Sequence, residues 1–449
     1  MSNVDILKRI ETAIQSDFDK ALEDLRRLIS VPSVSARNQF IGECADLVKG
    51  LLERDGFDVK ILDGDGGAPF VYAVKDGGKP SILLYNHYDV QPPEPLEQWR
   101  TDPFQLTELD GVFHGRGVAD NKGEIAVRLS AVRVVEKVMG KLPLTIKWLI
   151  EGEEEVGSPR IATVVSKNRS LFQDVIGCMW EGGDVDDRGP IFYLGVKGIL
   201  YVELSLKTAN ADIHSMYAPV VENAAEKMTR IVMNLKDERG RIRIKGFYDD
   251  VRRPSEAEKK LAKSFGRRSE DLARSLGVDK LKASKDNFLA KLMFDPTCNV
   301  AGFYSGYTGP GSKTIVPSSA NVKIDFRLVP NQDPEKILLR LKKFLPRDIE
   351  VKVHGMSHPA RINPDNPLVK IAVEAAETVY GRKPVVLPNT PGTGPLSYFV
   401  KAGIPTAMVS ALAHPGSGLH APNENIYREH FIKSIEHHAM VFIKAAERA

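Results

Sequence analysis

Residues 143–158 read PLTIKWLIEGEEEVGS. The first half, Pro143 to Ile150, is an apolar run with the residue types of a β-strand. The second half places Glu151, Glu153, Glu154 and Glu155 within five positions. Like charges this close repel, and more strongly in a low-dielectric pocket. A solvated turn tolerates them. A pocket tolerates them only with a cation present or with a proton on one of them. A strand ending in chemistry-bearing residues is the pattern of an open α/β sheet, where ligand sites lie at the carboxyl ends of the strands.

On either side of this stretch, strands and helices alternate. Residues 3–30 and 40–55 carry apolar positions at helical spacing, the second closed by Gly56. FVYAVK and SILLYNHYDV read as strands, NKGEIAVRLSAVRVVEKVMG as a helix, and DVIGCMWEGGD as a further strand. This predicts an α/β domain with a mostly parallel sheet. Near residue 198 the texture changes to alternating strands (ILYVELSLKT, VAGFYSGY, ANVKIDFRLVP, IEVKVHG) with helices at about 222–236 and after Asp333-Pro334. From about 362 the α/β texture returns, closing on a helix from about 427. The expected organisation is a catalytic domain in two parts, 1–197 and 362–449, interrupted by an α+β insert at 198–361. A length of 449 residues suits two domains.

Hydrophobic residues make up 42% and charged residues 27% of the chain, as in a globular protein with a substantial core. A net charge of +3 argues against a nucleic-acid partner or membrane-surface binding. The segment Lys236 to Lys285 mixes both signs with few aromatics and reads as a solvated helical face. No apolar run is long enough to span a membrane, and the amphipathic N-terminus lacks the features of a signal peptide. Cys44, Cys178 and Cys298 are isolated, which favours a reducing, cytoplasmic setting.

Metal-ligand candidates recur at strand ends and in Gly-rich loops. His87-Tyr-Asp89 closes a strand, so both side chains face one way and an imidazole stands beside a carboxylate that can orient it. A satisfied surface histidine is the bland reading. Asp120 lies in GRGVADNKG just before a helix, where capping is the alternative. Glu154 and Glu155 follow, then Glu181 in Glu181-Gly-Gly-Asp184, where an acidic turn is the alternative, then His420 with His414 as its competitor. Imidazole mixed with carboxylate suits zinc, manganese or cobalt, whereas calcium normally takes oxygen alone. Five such ligands, one of them bridging, make a two-metal site.

The motifs NHYDVQPP, GRGVADNKG, EGEEEVGS, DIHS, GYTGPGSKTIVP, FRLVP and GLHAPNE, in that order, span nearly the whole chain. Together they resemble the co-catalytic aminoacylase/carboxypeptidase superfamily, the M20 metallopeptidases, and within it the dipeptidase branch that includes carnosinases. The resemblance implies two divalent ions, zinc first and manganese or cobalt next. His87 and Glu181 would hold one ion, Glu155 and His420 the other, and Asp120 would bridge; some members of the family carry Asp where this chain has Glu181, which makes Asp184 a minor rival. It implies Glu154 as general base, Asp89 orienting His87, and a cis peptide bond at Asp120–Asn121. The insert would be a lid that also forms a homodimer, with His214 reaching the partner's site to stabilise the oxyanion. Arg327 would anchor the substrate carboxylate, with Thr314, His354 and the Gly392-Thr393-Gly394 loop as further substrate-side candidates.

The implied activity is hydrolysis of an amide bond next to a C-terminal carboxylate, as a dipeptidase or carboxypeptidase acting on a dipeptide or short peptide. An N-acyl-amino-acid deacylase, acting on acetylornithine- or succinyl-diaminopimelate-like substrates, is the nearest alternative. A catalytically silent, metal-binding dimeric scaffold is a distant one. His437 and His438 read as surface residues of the last helix, and His114, His358 and His430 receive no role.

Overall fold

The computed structural model describes residues 2–266 and 269–448. The N-terminal helix Asn3–Ile29 begins on Ser2, whose hydroxyl accepts from the Asp5 N–H while Asp5 reaches back to Ser2. Its apolar stripe, Ile6, Ile10, Ile14, Leu22 and Leu25, is buried. With Ile41–Arg54, Lys122–Met139, Pro367–Tyr380 and Arg428–Glu447 it covers one face of the main sheet through a single large core. The other face is packed by the shorter helices Ile161–Lys167 and Leu396–Lys401 around Tyr85, Trp180 and Phe399.

The main sheet runs in the order Asp58–Leu62, Phe70–Lys75, Thr145–Glu151, Ser81–His87, Cys178–Trp180, Thr406–Met408, Gly189–Tyr193, Val385–Leu387, with Asp184–Asp186 paired to Gly189–Tyr193. The four central strands, Thr145–Glu151 through Thr406–Met408, are parallel. Antiparallel pairings lie toward the flanks. Being covered on both faces, the strand Thr145–Glu151 is nearly continuous in buried apolar side chains. The register sets His87 opposite Glu151, so the strand ends that carry candidate ligands emerge on one side of the sheet.

The chain changes sheet at Gly198. The second sheet, Thr297–Ser305, Ser319–Leu328, Gly198–Lys207, Glu350–Ser357, is antiparallel throughout. One of its faces packs on Ala224–Asn234 and Pro334–Phe344 around Leu204, Phe326 and Met228. A two-stranded link, Gly195–Val196 with Ala360–Arg361, marks where the chain leaves and returns.

Two expectations need correction. The segment 236–285 is not a solvated helical face. It forms the short helices Glu256–Ser264 and Ser269–Ser275, and it buries Ala262 and Phe265 with Met293 and Phe294 against Ile191 and Leu387 of the main sheet. Glu258 is also buried, paired with Arg252 and Arg361. A few apolar side chains decide the packing of a segment whose composition is charged. Likewise His437 and His438 are fully buried, not surface residues. The helix that carries them lies against Asn3–Ile29, Lys122–Met139 and Pro367–Tyr380. His437 Nε2 donates to the Ala372 carbonyl at 3.1 Å, and the Arg128 guanidinium donates to His438 Nε2 at 3.3 Å.

Candidate metal centre

The site forms where Ser81–His87, Thr145–Glu151 and Cys178–Trp180 end and two loops fold over them. His87 is fully buried. Its Nε2 lies 3.0 Å from Asp120 Oδ1 and 3.3 Å from Glu181 Oε2, and its Nδ1 lies 3.0 Å from the Asp89 carbonyl and 3.3 Å from Asp89 Oδ1. His420 Nε2 lies 3.1 Å from Asp120 Oδ2 and 3.1 Å from Glu155 Oε2. Asp120 therefore turns one oxygen to each histidine. The surface-histidine reading of His87 and the capping reading of Asp120 both fail. The helix after Asp120 starts from Asn121 and has no side-chain cap. The Asp120–Asn121 peptide is cis.

The four glutamates of 151–155 are held in four different ways. The Glu151 carboxyl is buried against the Tyr85 hydroxyl and Ser158 Oγ, and burial pushes it up to about 8. Glu153 pairs with Arg160. The Glu154 and Glu155 N–H groups donate to the two Asp89 oxygens at 3.2 and 3.1 Å. This pins the turn so that neighbouring side chains enter one cavity from different sides. Gln91 Nε2 donates to Glu155 Oε2 at 2.9 Å. The Glu154 carboxylate has no hydrogen-bond partner among the described residues and offers an oxygen within 4.8 Å of ligand atoms of His87 and Glu181. Gly152 permits the turn, since a Cβ there would stand 2.4 Å from the Tyr88 ring.

The electrostatics call for a cation. Burial, with the charges of Asp120 and Glu155 adding to it and His87 opposing, pushes Glu154 up to about 7. Burial likewise drives Glu181 well above the carboxylate range. The hydrogen bonds of Asp120 and Glu155 pull His420 up to about 10. Glu181 Oε2 is buried and, beyond its 3.3 Å approach to His87 Nε2, has no hydrogen-bond partner, which leaves it free for a metal. Two imidazole nitrogens and several carboxylates are a donor set for transition-type divalent ions. The residues present therefore fit metal binding, in the two groups His87, Glu154, Glu181 and Asp120, Glu155, His420.

The remaining candidates divide. Arg327 Nη1 donates to Thr393 Oγ1 at 2.6 Å, joining the second sheet to the loop that carries Gly394. His354 is held instead by Glu203 at 2.8 Å, within the second sheet. Thr314 is exposed, and its carbonyl accepts from the Ser215 N–H, which shapes the turn after His214. His214 is exposed, and its Nδ1 accepts from the Met216 N–H at 3.1 Å. It forms no hydrogen bond or ion pair with the cluster of its own chain among the described residues. Asp184 accepts from the Tyr193 hydroxyl and His414 meets Asn425, so neither rival joins the cluster.

The sequence reading gave Glu424 no role. It is buried and accepts from Arg116 Nη1 at 2.7 Å and from the N–H groups of Gly117, Ala119 and Asp120 at 2.8–2.9 Å. One carboxylate thus ties the loop carrying His420 to the loop carrying Asp120. It ends the quoted motif GLHAPNE, but only burial distinguishes it from a solvated loop glutamate. Asn86, between Asn121, Glu124 and Arg128, was missed for the same reason.

Peptidase family M20/M25/M40 matches residues 83–448. The Beta-Ala-His dipeptidase of Mus musculus is 27% identical over 83% of this chain and 78% of its own. The Cys-Gly metallodipeptidase of Schizosaccharomyces pombe is 25% identical over 96% of each chain. The crystal structure of an M20 family metallo-carboxypeptidase from Sulfolobus solfataricus superimposes with a TM-score of 0.88 at 39% identity, covering 96% of this chain and 99% of that one.

Proposed function

The chain belongs to peptidase family M20/M25/M40 and is a metallopeptidase, and from that premise we propose that it hydrolyses the peptide bond before a free C-terminal residue, in dipeptides or at the end of short peptides. The observation that carries this is the bridge at Asp120, whose two oxygens face separate histidine–carboxylate groups beside the unengaged Glu154. His87 and Glu181 would hold one divalent ion, His420 and Glu155 the other, and Asp120 would bridge, with zinc preferred and manganese or cobalt able to replace it. Bound there, the ions supply Lewis-acid polarisation of the scissile carbonyl and of the attacking water.

Glu154 takes the proton of that water and later hands it to the leaving amine. Asp89 holds the His87 ring and the Glu154–Glu155 backbone in register for this. Arg327, aligned by Thr393, receives the substrate carboxylate through its guanidinium fork and sets which bond is presented to Glu154. The unit 198–361 acts as a lid and forms a homodimer, and His214 of the partner subunit completes the oxyanion site. Support for the dimer comes from the exposed apolar side chains around His214, with Met216 at 66% and Val220 at 79% exposure. Three buried free cysteines support a reducing, cytoplasmic setting. Among the described residues no helix is long and apolar enough to cross a membrane.

The test is a hydrolysis screen of the purified protein, with zinc, manganese and cobalt supplied in turn. Dipeptides and short peptides with free C-termini should be cleaved, and their C-terminal amides should not. Faster turnover of N-acetyl amino acids than of every dipeptide would overturn the reading.

A further inference from the structure

The chain as a whole is nearly balanced, with 62 Lys and Arg against 59 Asp and Glu, yet one cavity within the insert is not. It has a volume of about 950 Å³ and lies between the turn at 239–241, the segment 248–266, the helix Phe288–Phe294 and the Asp295-Pro296 connection into Thr297–Ser305. Among the described residues, eight Arg and Lys side chains line it against two carboxylates, Asp286 and Asp295. Three of the eight are paired outside the cavity lining: Arg252 with Glu258, Lys259 with Glu256, and Lys285 with Glu270. Arg239, Arg241, Arg253 and Lys263 form no ion pair among the described residues. The Arg241 guanidinium lies 4.3 Å from the Tyr248 ring centroid, a stacking that leaves its N–H groups free. Phe288 and Phe294 add apolar wall.

Unpaired cations gathered in one concavity repel one another, and a bound anion relieves that repulsion. The volume is that of a small-molecule site. Guanidinium and ammonium groups together suit phosphate oxygens, and the aromatic wall suits a planar group. None of the metal-centre residues, nor Arg327 or Thr393, lines the cavity, so its occupant is not the peptide under hydrolysis. We propose that this cavity binds a small organic polyphosphate, with the chemistry of a nucleoside polyphosphate. A half-open pocket of small-molecule size, rather than a basic stripe along a face, favours a small molecule over a nucleic-acid strand.

Calorimetric titration of the metal-loaded full chain tests this, with magnesium in excess and ATP, tripolyphosphate, AMP and a single-stranded oligonucleotide as probes. ATP should saturate a single site per chain and weaken with added salt, and AMP should bind at least about tenfold more weakly. The double substitution Arg253→Ala/Lys263→Ala should weaken ATP by at least about tenfold, with unfolding temperature and dipeptide turnover unchanged. Lys263→Glu, at an exposed position, should act in the same direction and serves if the double variant folds poorly. Absence of saturable ATP binding at millimolar concentration would overturn the proposal. So would an affinity untouched by these substitutions, or tighter binding of the oligonucleotide than of ATP.

Discussion

Glu151, Glu153, Glu154 and Glu155 share one short stretch and have four chemical situations. Glu151 is buried and pushed up by burial, Glu153 is paired with Arg160, Glu155 faces His420 with Gln91 behind it, and Glu154 is unengaged. If Glu154 carries the proton, Glu154→Gln keeps both metals and lowers kcat by about a thousandfold, within the usual span for general base catalysis. Metal analysis beside steady-state kinetics reads this, and retained turnover would remove Glu154 from the mechanism. Glu424→Gln tests a different job. Its loss of charge leaves the buried Arg116 without its carboxylate, so denaturant unfolding should show a loss of about 3 kcal/mol, together with weaker metal retention as the Asp120 loop loosens. The donor types of the candidate ligand residues were legible from sequence because imidazole and carboxylate chemistry is intrinsic to the residue. The difference between Glu151 and Glu154 was not, because burial and hydrogen-bond partners set it.

The three helices Asn3–Ile29, Ile41–Arg54 and Lys122–Met139 are joined by a cluster in which Arg54 and Arg133 reach Asp24 and Asp55, with Lys20 also on Asp55. Burial by itself would raise the Asp55 carboxyl, but the bonds from Arg54, Arg133 and Lys20 overcome it and hold the group at about 2. A carboxyl depressed in the folded state stabilises above its unfolded value, near 4, and that stability fades as pH falls toward the folded value. The advantage of the wild type over Asp55→Asn should therefore be full above about pH 4 and small near pH 2. Parallel thermal melts across that range check it, and a pH-independent difference would refute it. Long helices were legible because their period is local. The short strands Val112–His114 and Asn425–Tyr427, which pair with each other, carry too few residues to show a period, and their partner is remote in sequence. His437 and His438 were misread for a related reason. A helix enclosed by three others buries side chains that a one-sided helix would expose.

For the whole molecule, the decisive arrangement is that the candidate metal centre lies at the strand ends of the main sheet and in the loops over them, while Arg327 and His214 belong to the insert. His214 is exposed in its own chain. If it serves the partner subunit, each active site needs two chains. Subunits carrying Glu154→Gln and subunits carrying His214→Ala should each be nearly inactive alone. After mixing and exchange they should recover about a quarter of wild-type activity, because half of the random dimers contain one complete site. No recovery in verified mixed dimers would place His214 in its own chain's site or outside catalysis. The order of motifs, the ligand chemistry, the long helices and the division of the α/β part by an insert were determined by the sequence alone, since residue type and hydrophobic period are properties of a short window. The closure of the Asp120 loop over Glu424, the meeting of Arg327 with Thr393, the burial of the last helix and the cationic cavity were decided by the tertiary structure. Each depends on groups distant in the chain being brought together and removed from water by packing, and no local pattern records which distant group will arrive.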